Sequence, residues 1–306
     1  MSCFFSGAMY VALAAILWST GGVFIKLIPL DPVLIACLRC AIAGLVLLPF
    51  IHFKELKVSW QLVLLVLCYG GLSLCFVTAT KLTAAANAIA LEFTAPLWIF
   101  LFDTIYSRKI VWKNALPLIL IIIGLGVILS EPVIGSSFQG NLIGVVCGVF
   151  FAGITLLFRV VGKTNTIGVV GLCNLIAAFL IWFLVPAGST TAGTDITGWL
   201  VLIYLGLFQT GGGYAVYAWG LRYISAQKAS MIALLEPVFN PIWVGIFVHE
   251  IPTIYGIMGG LFILLGLVAD TLINSVAVGR IRGKIISSEI IRYMFRLNVN
   301  MEKIKQ

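Results

Sequence analysis

The stretch KLTAAANAIALEFTAP (residues 81–96) returns 141 residues later as RYISAQKASMIALLEP (residues 222–237). Lys81, Ala85, Ala88 and Pro96 align with Arg222, Ala226, Ala229 and Pro237, and each copy runs into an apolar helix interrupted by proline. A register shifted by two pairs Ala86, Ile89, Ala90 and Leu91 with Ala229, Ile232, Ala233 and Leu234 instead, so the duplication is firmer than its alignment. Two similar halves follow. With five membrane spans in each, an odd number, the second copy sits upside down relative to the first, as in transporters built from inverted repeats.

Composition fixes the solvent. Of 306 residues, 61% are hydrophobic and 10% charged, against about 25% charged in a soluble domain. A bilayer core of about 30 Å takes about 20 apolar residues as helix. Such stretches predict spans near residues 8–28, 33–53, 60–80, 84–106 and 113–130, then 140–160, 166–186, 199–219, 228–248 and 253–273. The expected fold class is an all-α integral membrane protein of ten transmembrane helices in two inverted five-helix repeats, residues 1–137 and 138–275, with a basic tail at 276–306. Only seven residues precede the first span, none of them Lys or Arg, so it reads as a retained span and not a cleaved signal. Cys37 and Cys40 have CxxC spacing, but thiols on a lipid-embedded helix are small apolar residues first. Neither a metal, a cofactor nor a disulfide is expected.

The net charge of +8 is distributed for a membrane and not for a nucleic acid. With a cytoplasmic N-terminus, inner loops and tail hold sixteen of the nineteen Lys and Arg residues, Lys54, Arg108, Lys109 and Arg159 among them, while outer loops hold Lys26 and Lys81, and Arg39 lies inside span two. The positive-inside rule places both termini in the cytoplasm of a plasma-membrane protein. In the tail, Ile286, Ile290, Met294 and Leu297 share one helical face and Glu289, Arg292 and Arg296 another. That suits a helix on an anionic leaflet; a solvated basic tail reads equally well.

Ionisable groups inside spans are costly and ask for a role. Asp103 and Asp270 lie near inner span ends and reach interfacial water. Arg39 lies about two turns into span two, where it pairs with a carboxylate or snorkels. Glu92 and Glu236 are deeper, each near prolines (Pro96; Pro237 and Pro241) that free backbone carbonyls. Freed carbonyls at membrane depth need protein or a watery cavity. Glu236, Glu92, Asn87, Asn240, Gln209, Tyr217, Trp18, Trp98 and Arg39 are therefore the candidate lining of a substrate or proton site, with Pro96, Pro237 and Pro241 as helix breaks. The competing role of each carboxylate is structural, capping freed backbone or pairing with a cation. Gly140, Gly144 and Gly148, like Gly256 and Gly260, form GxxxG stripes that pack helices within one chain or, alternatively, in a homodimer. Gly211, Gly212 and Gly213 suggest a hinge.

The run Trp18 to Lys26, with Pro32 and Arg39, resembles the start of bacterial drug/metabolite transporters of the EamA type. AQKASMIALLEPVFNP (residues 226–241) and Glu250 resemble the corresponding stretch of that family's second half. The resemblance covers roughly residues 7–274; Lys109 stands at the first-half position that matches Glu250. It implies ten helices around a central cavity, alternating access, and a small-molecule cargo such as an amino acid or related metabolite, often exported with protons as the coupling ion. An intramembrane enzyme has no support: HExxH and GxSxG are absent and the two histidines, His52 and His249, lie near opposite faces. A membrane receptor or scaffold without transport is the other alternative, and a channel lacks a charged ring or filter loop.

Overall fold

A chain this apolar has to satisfy its backbone internally, and helices do so within each segment. The computed structural model describes residues 2–52, 58–107, 115–130, 136–161, 165–192, 194–220, 223–224, 232–233 and 235–280, and among them the regular structure is helical. The helices are α1 (Ser2–Ser19), α2 (Gly21–Leu27), α3 (Pro32–Leu47), α4 (Trp60–Leu82), α5 (Ala85–Glu92), α6 (Ala95–Ser107) and α7 (Ala115–Leu129). After these come α8 (Ser136–Val161), α9 (Thr166–Trp182), α10 (Ile196–Tyr204), a π-helical segment at Leu205–Gly212, α11 (Gly213–Gly220), α12 (Leu235–Phe247) and α13 (Ile254–Arg280). Five stretches among the described residues are long and apolar enough to cross a bilayer: Gly7–Leu27, Pro32–Phe50, Trp60–Leu82, Ser137–Leu157 and Ile196–Tyr217. Four shorter apolar helices fall in four of the five other expected spans, 84–106, 113–130, 166–186 and 253–273; the fifth, 228–248, is described only in part, with α12 at Leu235–Phe247. Arg222, Ala226 and Ala229 of the echo, and the tail beyond Arg280, lie outside the described residues.

Helix starts recur between the halves. Asp31 caps α3 by accepting from Val33 N at 2.8 Å and Leu34 N at 3.2 Å, and Asn165 caps α9 by accepting from Gly168 N at 2.9 Å. Ser59 caps α4 through Leu62 N, and Asp195 caps α10 through Gly198 N. Short polar side chains at this position replace one of the four amide partners a helix start lacks.

Helix packing shows the same twofold pattern. The contact of α4 with α8 is matched by that of α11 with α1, and α5 on α8 by α12 on α1. The pairs α3–α9, α5–α12 and α7–α13 lie on the diagonal of this scheme. Among the described residues, three spans are interrupted. Span one turns at Thr20, between α1 and α2. Span four breaks at Phe93 and Thr94, so the expected helix 84–106 is two, with Pro96 just inside the start of α6, where a missing N–H costs nothing. Span eight carries the wide π turn just before Gly213 where the glycine run suggested unwinding; Gly206 packs against Ile42 and the Arg39 carbonyl, and Gly211 against Ala43.

The glycine stripe of α8 is used within the chain. A Cβ on Gly140 would lie 2.8 Å from Thr83 N, one on Gly144 3.0 Å from Leu91, and one on Gly148 2.8 Å from the Leu91 carbonyl oxygen. Gly148→Leu is therefore expected to cost about 1–3 kcal/mol through overpacking, read as a lower unfolding temperature in detergent. Gly126→Ala, whose Cβ meets nothing within 4 Å, is the control and leaves the unfolding temperature unchanged or slightly higher.

Candidate functional site

The site grows from three charges. Arg39 stands seven residues into α3 and Glu92 seven residues into α5, and at 1.5 Å per residue both lie about 10 Å from the same end of the bundle. Glu236 comes from α12. Each is at least nine-tenths buried, with 6%, 9% and 7% exposed respectively. All three line one cavity, with Gln209 from the π segment, Trp18 from α1 and Tyr214 from α11; Leu72, Phe76 and Phe151 supply the apolar wall. Both halves contribute. The cavity volume is about 30 Å³, room for about two waters.

Arg39 reaches neither carboxylate. Its Nε donates to Ser73 Oγ at 3.1 Å and its guanidinium carbon lies 5.6 Å from the centre of the Phe76 ring. The ion pair among the described residues is elsewhere, between Lys26 and Glu250 at 2.7 Å. An aromatic run borders the cavity: Tyr69 to Tyr214 at 5.3 Å, Tyr214 to Trp18 at 4.8 Å, Trp18 to Tyr217 at 5.1 Å. Asn174 donates to the Tyr69 hydroxyl at 3.0 Å and anchors its far end.

Of the residues expected from sequence, Trp18, Arg39, Glu92, Gln209 and Glu236 come together. The others sit around the helix breaks. Asn240 donates to the Ser19 carbonyl at 2.6 Å and packs on Gly22, and Trp243 donates to Ser19 Oγ at 3.1 Å, so α12 seals the turn between α1 and α2. Trp98 donates to Thr94 Oγ1 at 3.2 Å, and Thr94 in turn donates to the Leu91 carbonyl at 2.6 Å, which seals the break before α6. Asn87 lies one turn before Glu92 on α5, against Gly256 of α13. Tyr217 lies behind Trp18, the two rings tilted by 48°. Pro241 is inside α12, together with Pro237; Pro96 lies in α6.

A second polar cluster was not legible in the sequence as a unit. Lys26 Nζ, besides its ion pair, donates to the Thr83 carbonyl at 2.8 Å, and Glu250 Oε1 accepts from Ala85 N at 2.8 Å, capping α5. Lys81 donates to the Ile28 carbonyl. His249, left-handed at φ 57°, turns the chain so that Glu250 faces this cluster. The ends of α2, α4 and α12 and the start of α5 are thereby clasped together over the bundle end nearer Arg39 and Glu92.

Buried charges shared between two similar helical halves, in a chain rich in membrane-spanning helices, define a membrane transporter. The chain belongs to the EamA-like transporter family, whose pattern matches residues 5–130 and again 138–269. It is similar to an uncharacterized transporter of Archaeoglobus fulgidus, 26% identical over 268 residues that cover 86% of this chain and 96% of that one. It is also similar to the threonine/homoserine exporter RhtA of Escherichia coli K12, 24% identical with 71% and 74% covered. A crystal structure 18% identical in sequence shares the fold, with a TM-score of 0.63 over 87% of this chain and 97% of that one. The family and these relatives are transporters, which sets the enzyme reading aside.

The clasp yields a stability prediction. Glu250→Gln loses the ion pair but keeps an acceptor for Ala85 N, whereas Glu250→Ala loses both, so Ala is expected to be the less stable by about 1 kcal/mol. Thermal unfolding of the two purified variants beside wild type measures the difference.

Proposed function

We propose that the protein is a secondary transporter that exports a small metabolite, an amino acid or related compound, by alternating access around the cavity of Arg39, Glu92 and Glu236. That charged cavity, lined by both family-matched halves, is the observation that carries the reading. Three buried ionisable groups at membrane depth serve a pathway far more often than stability. A relative that exports threonine and homoserine points to cargo of the same size and polarity. With room for about two waters, the cavity has to widen for cargo to enter, and the turn at Thr20, the break at Thr94 and the π segment surround it as places where helices can bend.

In this reading the chain has ten spans in two inverted repeats, residues 1–137 and 138–275, with both termini cytoplasmic. The paired helix contacts and paired caps support the duplication, and the excess of Lys and Arg in alternate loops supports the orientation. The clasp of Lys26 and Glu250 then closes the outer end. A cysteine replacing Lys81 and one replacing Arg222 are expected to react with an impermeant maleimide from opposite faces of the membrane; labelling from one face contradicts the inversion.

Transport is tested with proteoliposomes and a panel of amino acids and related metabolites, with and without a pH gradient. Glu236 is the candidate proton carrier. Glu236→Gln holds the protonated shape without titrating, so it is expected to bind cargo as wild type does and to lose the part of the flux that depends on the pH gradient. A stable Gln variant with unchanged gradient-driven flux would show that protons are not carried at Glu236.

A further inference from the structure

Arg39 is fixed at one nitrogen and open at another. Its Nε is held by Ser73, while its Nη1 is buried and has no hydrogen-bond partner. Ser73 is itself buried, at 3% exposure, and its hydroxyl is in turn paired with Cys40 Sγ at 3.1 Å. A guanidinium is planar, so fixing Nε on one side and stacking the carbon over Phe76 sets the direction of the remaining N–H groups. Two carboxylates share the cavity, and an arginine free to turn there would close on one of them, because attraction between opposite charges grows as water is excluded. It does not close: Glu92 and Glu236 lie beyond ion-pair distance of Arg39. An unpartnered buried donor is costly, and both carboxylates are left facing the same space.

We infer that Ser73 is a positioning residue that holds Arg39 away from Glu92 and Glu236, leaving its Nη edge open as the docking point for the carboxylate of a zwitterionic cargo. The cargo's ammonium group then lies toward Glu92 and Glu236. The assignment rests on the transporter reading and specifies its cargo chemistry: one anionic and one cationic group on a small molecule, bound end to end between α3 and the α5–α12 pair. Without Ser73 the guanidinium is released to pair with a carboxylate inside the empty cavity, and cargo has to break that pair to bind.

The test compares wild type, Ser73→Ala and Ser73→Thr in proteoliposomes, using the twenty L-amino acids with L-homoserine, and L-threoninamide as the partner of L-threonine with the carboxylate neutralised. Each acid that wild type carries is compared with its own carboxamide. The acid is expected to be favoured over the amide, with KM lower by about tenfold or more. Ser73→Ala is expected to raise KM for the acid about tenfold, to leave maximal flux within about twofold and to raise KM for the amide by less than for the acid, while Ser73→Thr, which keeps the hydroxyl, restores the acid's KM. Unfolding temperature is read in parallel without cargo, and Ser73→Ala is expected to equal or exceed wild type, because Arg39 gains a carboxylate partner. Equal transport of acid and amide by wild type overturns the docking role. A lower unfolding temperature and lower maximal flux in Ser73→Ala at unchanged KM makes Ser73 a packing residue only. If wild type carries no panel compound, the transporter reading fails on that arm, and the unfolding temperature alone still decides whether Ser73 holds Arg39 off the carboxylates.

Discussion

A backbone carbonyl or amide without a partner inside a bilayer has nowhere to turn but to the protein, and this constraint organises the centre of the molecule. Each departure from regular helix near the cavity is met by a group from another element or from one turn away. The Ser19 carbonyl takes Asn240, and the Leu91 carbonyl takes Thr94, which Trp98 then engages. The π segment is flanked by helical residues on both sides and carries no side-chain cap, and its glycines let α3 come close. Residues that look functional because they are polar and deep are thus divided into those that seal broken backbone and those that face the cavity.

The second group is electrostatically unbalanced. Two carboxylates and one guanidinium share a space too small for an ordinary hydration shell, and none is neutralised by direct contact. Ionised groups in such a place are stabilised by whatever enters, so the site's affinity for protons, cations or zwitterions is a property of the empty cavity's cost. The clasp of Lys26, Glu250 and Ala85 operates differently: it is a satisfied pair at a helix end, where half-buried charges reach both each other and the backbone.

Much of this was readable from residues alone. Apolar stretches located most of the helices because a membrane span needs a fixed length, whereas the capping residues Asp31, Ser59, Asn165 and Asp195 emerged only with the structure. Glu92, Glu236 and Arg39 were legible because charge inside a span is rare enough to require a reason. Asn240 and Trp98 were legible as deep polar groups but not as seals, since their partners are carbonyls that only a bent helix exposes. Ser73 was invisible: a serine on a membrane helix carries no signal until its neighbour across the helix pair is known to be an arginine. The turn at Thr20 was equally silent, because the break depends on α12 arriving to satisfy the Ser19 carbonyl.

The contact between α7 and α13 has a consequence for how the protein is made. Gly124 and Gly259 place the two backbones together, a Cβ on either falling 2.5 Å from the other's carbonyl oxygen or from Ile128, and a Cβ on Gly266 would lie 2.8 Å from the Pro117 carbonyl oxygen. Between Leu129, where α7 ends, and Ile254, where α13 begins, lie 124 residues. At a synthesis rate of about 5–20 residues per second, α7 spends about 6–25 s in the membrane before its partner exists. Until then its glycine face is bare to lipid and to other nascent helices, and α13, made more than a hundred residues later, is the helix that covers it. Truncated or stalled chains therefore present an open, small-residue surface to the cell's membrane quality control.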